Sequence, residues 1–122
     1  MSTPRKRIGD SGERLAADYL ASRGHRIVAR NVRRREGEID LITLDGSTLV
    51  FVEVKLRRAG SFGGAVEALT RAKQQRLQAL AEAYAAEHPE LPAQQRIDLV
   101  AIELGADGRL GEVRHIQSAV EG

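Results

Sequence analysis

The chain has 122 residues, with 19 Lys and Arg against 17 Asp and Glu and a formal net charge of +2. A hydrophobic fraction of 42% beside 30% charged residues is typical of a folded globular protein and excludes a disordered chain. This length suits one hydrophobic core, and no repeat or linker divides the sequence. We therefore expect residues 1–122 to form a single domain with its core over about residues 8–118.

The absence of cysteine excludes a disulfide scaffold, Cys-ligated zinc, an iron–sulfur cluster and thiol catalysis. A chain without cysteine suits the reducing cytoplasm, which is the location we expect. No apolar run approaches the ~20 residues that cross a bilayer, so a membrane is not an expected partner. The basic residues 1–7 precede no apolar segment, and we expect no secretory signal there.

Arginine dominates the basic residues, because 16 of the 19 cations are Arg. The planar guanidinium matches phosphate oxygens, which favours a phosphate-bearing partner such as nucleic acid. An Arg-rich genome composition explains the same bias, so composition alone leaves both explanations open.

Hydrophobic periodicity predicts a first helix over residues 8–23, with Gly24 as its stop. Runs of β-branched residues then predict three strands, at residues 25–32, 38–44 and 49–55. An Asp-Gly pair between the second and third strands is a hairpin signal.

A glycine-containing loop is predicted after the third strand, and a long helix capped by Thr70 follows and ends at His88-Pro89. Two further strands are predicted, at residues 96–104 and 113–117. The order αβββαββ predicts an α/β fold in which helices flank a mixed sheet.

Alternation along the second strand decides which of its side chains share a face. Strict alternation places Ile39 and Leu41 on one face, and Glu38 and Asp40 on the opposite one. Two acidic side chains are therefore expected to face away from the apolar residues of this strand.

The hairpin register relates Asp40 to Glu53 and Lys55, which share one face of the third strand. A two-residue loop at residues 45–46 places Asp40 diagonal to Glu53, whereas a loop over residues 45–48 places it directly opposite. Both registers bring the three side chains to one face; a three-residue loop would not.

Two carboxylates that face each other across adjacent strands repel, so Asp40 and Glu53 need a compensating charge. A divalent cation such as Mg²⁺ supplies it, and Lys55 could then orient water or stabilise charge on phosphorus. Alternatively, Lys55 merely neutralises Glu53 on a solvated sheet face. The apolar character of both strands favours coverage on both faces, which makes unpaired carboxylates costly and favours a bound cation.

An ordered set of residues resembles one bacterial family, UPF0102 (YraN-like), over about residues 9–116. The matching residues are Gly9, Gly12-Glu13, Tyr19-Leu20, Gly37-Glu38-Ile39-Asp40-Leu41-Ile42, Phe51-Val52-Glu53-Val54-Lys55, Arg57, Lys73, Arg76-Leu77, Tyr84 and Arg96-Ile97-Asp98. That family is similar to the PD-(D/E)XK nuclease superfamily, nearest to archaeal Holliday-junction resolvases, and is described as predicted endonucleases.

The resemblance implies a restriction-endonuclease-like αβββαβ core with a mixed five-stranded sheet flanked by helices. It implies that Asp40 and Glu53, with the carbonyl of Val54, hold Mg²⁺ or Mn²⁺ against a DNA phosphate. By the same resemblance, Lys55 positions the attacking water, and Glu13 is the catalytic acid on the first helix. The implied reaction is hydrolysis of phosphodiester bonds in DNA, including branched or otherwise structured DNA.

Seven basic residues are candidate contacts to the nucleic-acid backbone: Arg33, Arg34, Arg35, Arg57, Arg58, Lys73 and Arg76. The first three could equally form a solvated turn, and cations on the second helix usually face solvent. Such contacts would give affinity and salt dependence without sequence specificity.

Other motifs carry less functional information. The glycine-rich residues 60–64 lack the sequence of a phosphate-binding loop, and we expect a flexible flap there. The three histidines lack the spacing of metal ligands. Asp98, in an apolar strand after Arg96, predicts either a structural ion pair or a role at the edge of the site.

Two main hypotheses remain at the level of sequence. The first is a Mg²⁺-dependent DNA endonuclease; the alternative is a non-catalytic nucleic-acid-binding or adaptor protein on the same fold. A third, an interaction module, would use the acids only in ion pairs. A homodimer would suit a two-fold DNA junction, although no segment identifies an interface.

Overall fold

The computed structural model describes the backbone of residues 4–58 and 69–120, and the flap expected at residues 60–64 lies outside the described residues. The elements are α1 (Pro4–Ser22), β1 (Arg26–Arg34), β2 (Gly37–Asp45), β3 (Thr48–Arg58), α2 (Arg71–Glu87), β4 (Gln95–Leu104) and β5 (Leu110–Val120). Their order is the predicted αβββαββ. No helix among these residues is long and apolar enough to span a bilayer.

The five strands form one sheet in the order β1-β2-β3-β4-β5. Strands β3 and β4 pair in parallel, whereas the other neighbours are antiparallel. A parallel pair needs a crossover connection, and α2 lies in the segment between β3 and β4. The predicted α/β fold with a mixed five-stranded sheet flanked by helices is therefore confirmed.

Each face of the sheet is covered by one helix. Three buried residues of α1 pack on one face with a set of strand residues: Ala16, Ala17, Leu20, Leu41, Val50, Val52, Val100 and Ile102. Buried residues of α2 pack on the opposite face with another: Leu77, Leu80, Ala81, Tyr84, Ile39, Ile42, Leu49, Phe51 and Leu99. Burying each large side chain contributes roughly 1.5–3 kcal/mol, and coverage on both faces explains the nearly continuous apolar runs of β3 and β4.

The element boundaries differ from the sequence-based prediction mainly at the start of α1, at the ends of β1 and β3 and at both ends of β5, and β3 continues to Arg58 rather than ending at residue 55. Strand β1 continues through Arg33 and Arg34, because its ladder with β2 runs to the pair Arg34↔Gly37. Helix α1 begins at Pro4, where proline is tolerated because the first helical N–H groups have no intrahelical partner. Strand β5 spans Leu110–Val120, since its pairing with β4 supports more residues than its own weak pattern indicated.

The expectation that Ile39 and Leu41 share a face is wrong. Ile39 packs in the cluster on the α2 face, whereas Leu41 packs in the cluster on the α1 face. The intervening residue Asp40 lies across from Asn31, which adopts φ of 50° between the pairs Arg30↔Leu41 and Val32↔Ile39. Alternation of side-chain direction along β2 is therefore interrupted at Asp40, opposite the left-handed backbone of Asn31.

The hairpin between β2 and β3 has the register that places Asp40 directly opposite Glu53, although its loop is residues 46–47 rather than the predicted 45–48. Asp45 pairs with Thr48 across a two-residue connection, and the ladder continues to Leu41↔Val52. One more step along this register places Asp40 opposite Glu53. Beyond this point β2 continues to pair with β1, and β3 with β4. The two strands therefore part at the position of the acidic pair.

Candidate active site

A cleft of about 340 Å³ lies where β2 and β3 part, and it contains all four residues predicted to be catalytic. Its lining residues come from α1, β2, β3 and α2: Gly9, Glu13, Asp40, Glu53, Val54, Lys55, Leu56 and Lys73. A second, smaller cleft of about 230 Å³ shares several of these residues and extends toward the turn between β1 and β2. Strand divergence thus creates a concave site around the central hairpin.

Asp40 is the most perturbed acid of the cleft. Its Oδ2 accepts a hydrogen bond of 2.8 Å from the backbone N–H of Val54. Burial, and next the charge of Glu53, raise the pKa of Asp40 from the ordinary value of 3.8 to about 7, although the Val54 hydrogen bond opposes this shift. Among the residues that the structure describes, the ionised form of Asp40 therefore lacks a sufficient counter-charge.

Carboxylate oxygens of Glu13, Glu38 and Asp40 lie within 4.8 Å of one another, close enough to hold one metal ion. Burial is the main cause that raises the pKa of Glu13, and the charge of Glu38 adds to it. Three converging carboxylates fit a hard divalent ion, which prefers oxygen ligands, although Arg33 approaches Glu38 at 3.6 Å. Glu38 was not among the residues predicted for the site, although its placement two residues before Asp40 was the available signal.

Asn31 is a further residue that the sequence did not single out. Its side chain hydrogen-bonds to Glu13, and this bond lowers the pKa of Glu13 against the effect of burial. Its φ of 50° is in the left-handed region, which Asn tolerates better than most residues. Asn31, the residue of β1 with left-handed backbone, thus contacts Glu13 of α1.

Glu53 is directed toward α2 rather than toward the other three acids. The Nζ of Lys73 lies 2.6 Å from Oε1 of Glu53, whose side chain is only 10% exposed. Lys73 was predicted as a weaker nucleic-acid contact, because cations on a helix usually face solvent, but only 29% of its side chain is exposed. This ion pair supplies the charge compensation that the sequence argument required for Glu53.

Lys55 is half-buried and lines the same cleft as Glu13 and Asp40. It forms no ion pair with an acid among residues 9–58 and 69–120, so the expected neutralisation of Glu53 is carried out by Lys73 instead. The ammonium of Lys55 is therefore placed in the cleft without a carboxylate partner from the described part of the chain.

The other basic residues that were predicted to contact nucleic acid differ in their partners and in their exposure. Arg33 approaches Glu38 at 3.6 Å, and Arg34 donates a 2.7 Å hydrogen bond to Glu87 of α2. Arg76 lines the smaller cleft. The remaining three lie at strand ends or in the turn: Arg35 is exposed, Arg57 is half-buried and Arg58 is exposed.

Asp98 belongs to a buried ion-pair network rather than to either cleft. It is fully buried, and its carboxylate accepts hydrogen bonds from Arg96 Nε at 3.0 Å and from the N–H of Ser118 at 3.0 Å. His115 Nε2 lies 2.7 Å from the same carboxylate, and Arg96 also bonds to Asp45. Of the two roles considered for Asp98, the structure supports the structural one.

A mixed five-stranded sheet with a helix on each face is consistent with a restriction-endonuclease-like core. The sequence profile of the uncharacterised protein family UPF0102 matches residues 12–102, and the chain belongs to this family.

Its relatives cover nearly the same length. A UPF0102 protein of Symbiobacterium thermophilum is 53% identical over 114 residues, which are 93% of this chain and 96% of the relative. A UPF0102 protein of Roseiflexus castenholzii is 46% identical over 123 residues, covering 99% and 98% of the two chains. One of Mycolicibacterium vanbaalenii is 46% identical over 113 residues, 93% of each chain.

Proposed function

We propose that this protein is a metal-dependent endonuclease that hydrolyses phosphodiester bonds of DNA. The observation that carries the proposal is the raised pKa of Asp40, about 7, in a cleft that also holds Glu13, Glu53 and Lys55. Such clustering of acids around a half-buried carboxylate is unfavourable unless a cation binds there. Titratable groups with perturbed pKa values in a cleft are also typical of active sites. The similarity of UPF0102 proteins to PD-(D/E)XK nucleases supports the same assignment.

Five residues of the cleft have roles in this proposal. Asp40, Glu53 and Glu13 would hold the divalent cation through their carboxylate oxygens. When bound, Mg²⁺ or Mn²⁺ supplies Lewis-acid stabilisation of the charge that develops on phosphorus. Lys55 donates hydrogen bonds to the attacking water or to a phosphate oxygen. These bonds hold the water or the phosphate beside the acids of the cleft. Val54 fixes Asp40 through its N–H.

DNA is the proposed substrate, and structured or branched DNA is the class that similarity to junction resolvases suggests. The exposed arginines Arg33, Arg35 and Arg58 supply contacts to the phosphate backbone. A DNA substrate places the activity in the cytoplasm, and a two-fold branched substrate would suit a homodimer.

The experiment that tests the proposal is a cleavage assay with labelled four-way, flap, duplex and single-stranded DNA in Mg²⁺, Mn²⁺ or EDTA. We expect metal-dependent cleavage by the wild type and loss of at least about a hundredfold in Asp40→Asn. Asp18→Asn, which removes an exposed acid from α1 outside the cleft, is the matched control. Calorimetry on the same three proteins measures metal binding separately, so absence of binding in the wild type would reject the metal-dependent mechanism.

One observation favours the alternative of a non-catalytic nucleic-acid-binding protein. Glu53 already has an internal counter-ion in Lys73, which makes a metal unnecessary for its neutralisation. Such a binder should retain its DNA affinity in EDTA and show steep salt dependence without cleavage in any metal.

A further inference from the structure

We propose that Lys73 and the divalent cation are alternative counter-ions of Glu53, so that metal binding transfers the Lys73 ammonium to a substrate phosphate. This inference rests on the proposed function, because it assigns a second role to a residue of the same cleft. It makes Lys73 a substrate-binding residue that is held by Glu53 in the metal-free protein.

The ion pair itself is the first argument. Glu53 is buried, with 10% of its side chain exposed, and Lys73 Nζ lies 2.6 Å from its Oε1. A carboxylate at this depth is unfavourable without a counter-ion, so one positive group must remain beside it. The ammonium supplies that charge in the absence of metal, and a divalent cation can replace it.

The place of Lys73 on α2 is the second argument. Thr70 is the N-cap of this helix, and its hydroxyl accepts a hydrogen bond from the backbone N–H of Lys73. A cation in the first turn is unfavourable because the N-terminus of a helix carries partial positive charge. The first turn of α2 contains no acid to offset it. Helix stability therefore does not account for Lys73, whereas its contact with Glu53 does.

The arrangement of the acids indicates why the two cations exclude each other. Glu13, Glu38 and Asp40 form the three-carboxylate group, and Glu53 lies outside it. Oε1 of Glu53 already contacts the ammonium, so joining Asp40 around one divalent ion would place two cations on the same carboxylate. Like charges on one carboxylate repel, so bound metal weakens the hold on Lys73. The lysine lines both clefts and has a flexible stem, which leaves its ammonium facing the site after release.

The test compares Lys73→Met with Arg71→Met in the full-length chain. Methionine keeps an unbranched apolar side chain and removes the charge. Arg71 is exposed in the same first turn and lies outside both clefts, so its substitution matches the change in net charge and in helix dipole. Binding of Mn²⁺ is measured by calorimetry, and Tm is measured in EDTA and in saturating Mg²⁺.

We expect Lys73→Met to bind Mn²⁺ about three- to tenfold more tightly than the wild type, the effect of removing one competing, partly exposed ion pair. Its Tm should be lower than that of the wild type in EDTA, because Glu53 loses its counter-ion, and the deficit should close in Mg²⁺. Arg71→Met should change neither quantity beyond the general effect of its charge.

The outcomes separate this inference from the proposed function. Equal or weaker Mn²⁺ binding by Lys73→Met, with wild-type binding intact, would overturn the exchange and leave the proposed metal site standing. If neither protein binds Mn²⁺, the proposed function fails together with the exchange. Binding by Lys73→Met but not by the wild type would support exchange in its strongest form. If Lys73→Met does not fold in EDTA, NMR of the wild-type Lys73 side chain, assigned through Lys73→Arg, decides the question: its signals must shift on addition of Mg²⁺.

A second measurement tests the transfer to phosphate. Duplex DNA affinity is measured against salt concentration in Ca²⁺ and in EDTA. In Ca²⁺ the slope of log affinity against log salt should be smaller for Lys73→Met by ~0.9, the value for one phosphate contact on duplex DNA. In EDTA the two slopes should agree. Identical slopes in Ca²⁺ would overturn the transfer to phosphate.

Discussion

Oδ2 of Asp40 accepts a hydrogen bond of 2.8 Å from the backbone N–H of Val54. This bond spans β2 and β3 just beyond the last ladder pair, Leu41↔Val52. The carboxylate therefore satisfies a backbone donor at the point where the two strands part. The same side chain that the proposal assigns to the metal also fixes the geometry of the strand end.

The pKa of Asp40 predicts an unusual dependence of stability on pH. Because its folded-state pKa of about 7 lies above the ordinary 3.8, the folded protein retains a proton that the unfolded chain releases. The free energy of unfolding should consequently fall as the pH rises from about 4 to about 7, as far as this group is concerned. Asp40→Asn should remove this slope and stabilise the metal-free protein at pH 8 by on the order of 2 kcal/mol.

Urea denaturation of both proteins between pH 4 and pH 8 in EDTA checks this prediction. Addition of Mg²⁺ at pH 8 should then raise the Tm of the wild type and leave Asp40→Asn unchanged, because the ion compensates the charge that the amide lacks. A wild type with the same pH slope as Asp40→Asn would show that Asp40 titrates normally.

Part of the site could be predicted from the sequence, because the register of a short hairpin suffices to place Asp40 opposite Glu53. The contacts of Lys73 could not be predicted, since helix phase depends on how α2 packs across the sheet. Glu38 and Asn31 escaped notice for another reason. Strict alternation is interrupted around Asp40, opposite Asn31, and no sequence pattern marks a single strand residue with left-handed φ.

The fold was more accessible than the site because apolar runs and turn residues report directly on buried strands. Element order and sheet class followed from them, whereas the bounds of β1 and β5 depended on pairing with neighbouring strands. A short stretch of sequence does not show which distant strand it pairs with. In addition, an exposed Arg-rich segment such as the end of β1 has the composition of a turn.

Asn31 provides a second prediction, because its backbone and its side chain contribute separately. Asn31→Gly keeps easy access to positive φ but removes the amide that bonds Glu13, whereas Asn31→Ala loses both. The alanine variant should be less stable than the glycine variant by about 1 kcal/mol. Both should bind Mn²⁺ more weakly than the wild type, since loss of the hydrogen bond raises the pKa of Glu13 further.

Chemical denaturation and calorimetry at pH 6 and pH 8 measure the two effects of the Asn31 variants. The loss of Mn²⁺ affinity should be larger at pH 6, where a raised pKa leaves more Glu13 protonated. Equal Mn²⁺ affinities in the wild type and Asn31→Gly would assign Asn31 a purely conformational role.

The buried network of Asp98 predicts a third result with the opposite pH sign. Hydrogen bonds from His115 and Arg96 hold the pKa of Asp98 below its usual range, although burial opposes them. Its stabilising contribution is therefore present above the ordinary Asp pKa of about 4 and lost as the pH falls below it. Asp98→Asn should destabilise the fold by about 3–5 kcal/mol at pH 7, because Arg96 loses a buried charged partner.

Urea denaturation at pH 7 compares Asp98→Asn with Asp107→Asn, which changes an exposed acid in the turn before β5. The control should remain within about 0.5 kcal/mol of the wild type. A small effect of Asp98→Asn, similar to that of the control, would mean that the network is replaceable by neutral hydrogen bonds.

Close packing of α1 on β3 beside the cleft predicts a fourth result. A Cβ added at Gly12 would lie 2.8 Å from Cδ2 of Leu56, whereas a Cβ at Gly9 would meet no atom within 4 Å. Alanine is favoured over glycine inside a helix by about 0.5–1 kcal/mol, so Gly9→Ala should stabilise the protein by that amount. Gly12→Ala should not show this stabilisation. It should instead destabilise the folded protein by about 1 kcal/mol, because Leu56 or the helix must shift.

Displacement of α1 at Gly12 would also move the adjacent Glu13, so Gly12→Ala should weaken Mn²⁺ binding as well as stability. A double-mutant cycle with Leu56→Ala identifies the cause, since removal of Cδ2 should relieve the clash and restore Mn²⁺ affinity. Additive effects of the two substitutions on the free energy of unfolding would show that Gly12 is not required for the close approach of α1 to β3. Coupling of 0.5 kcal/mol or more, roughly the lower limit for residues in contact, would establish that this glycine sets the position of Glu13 over the cleft.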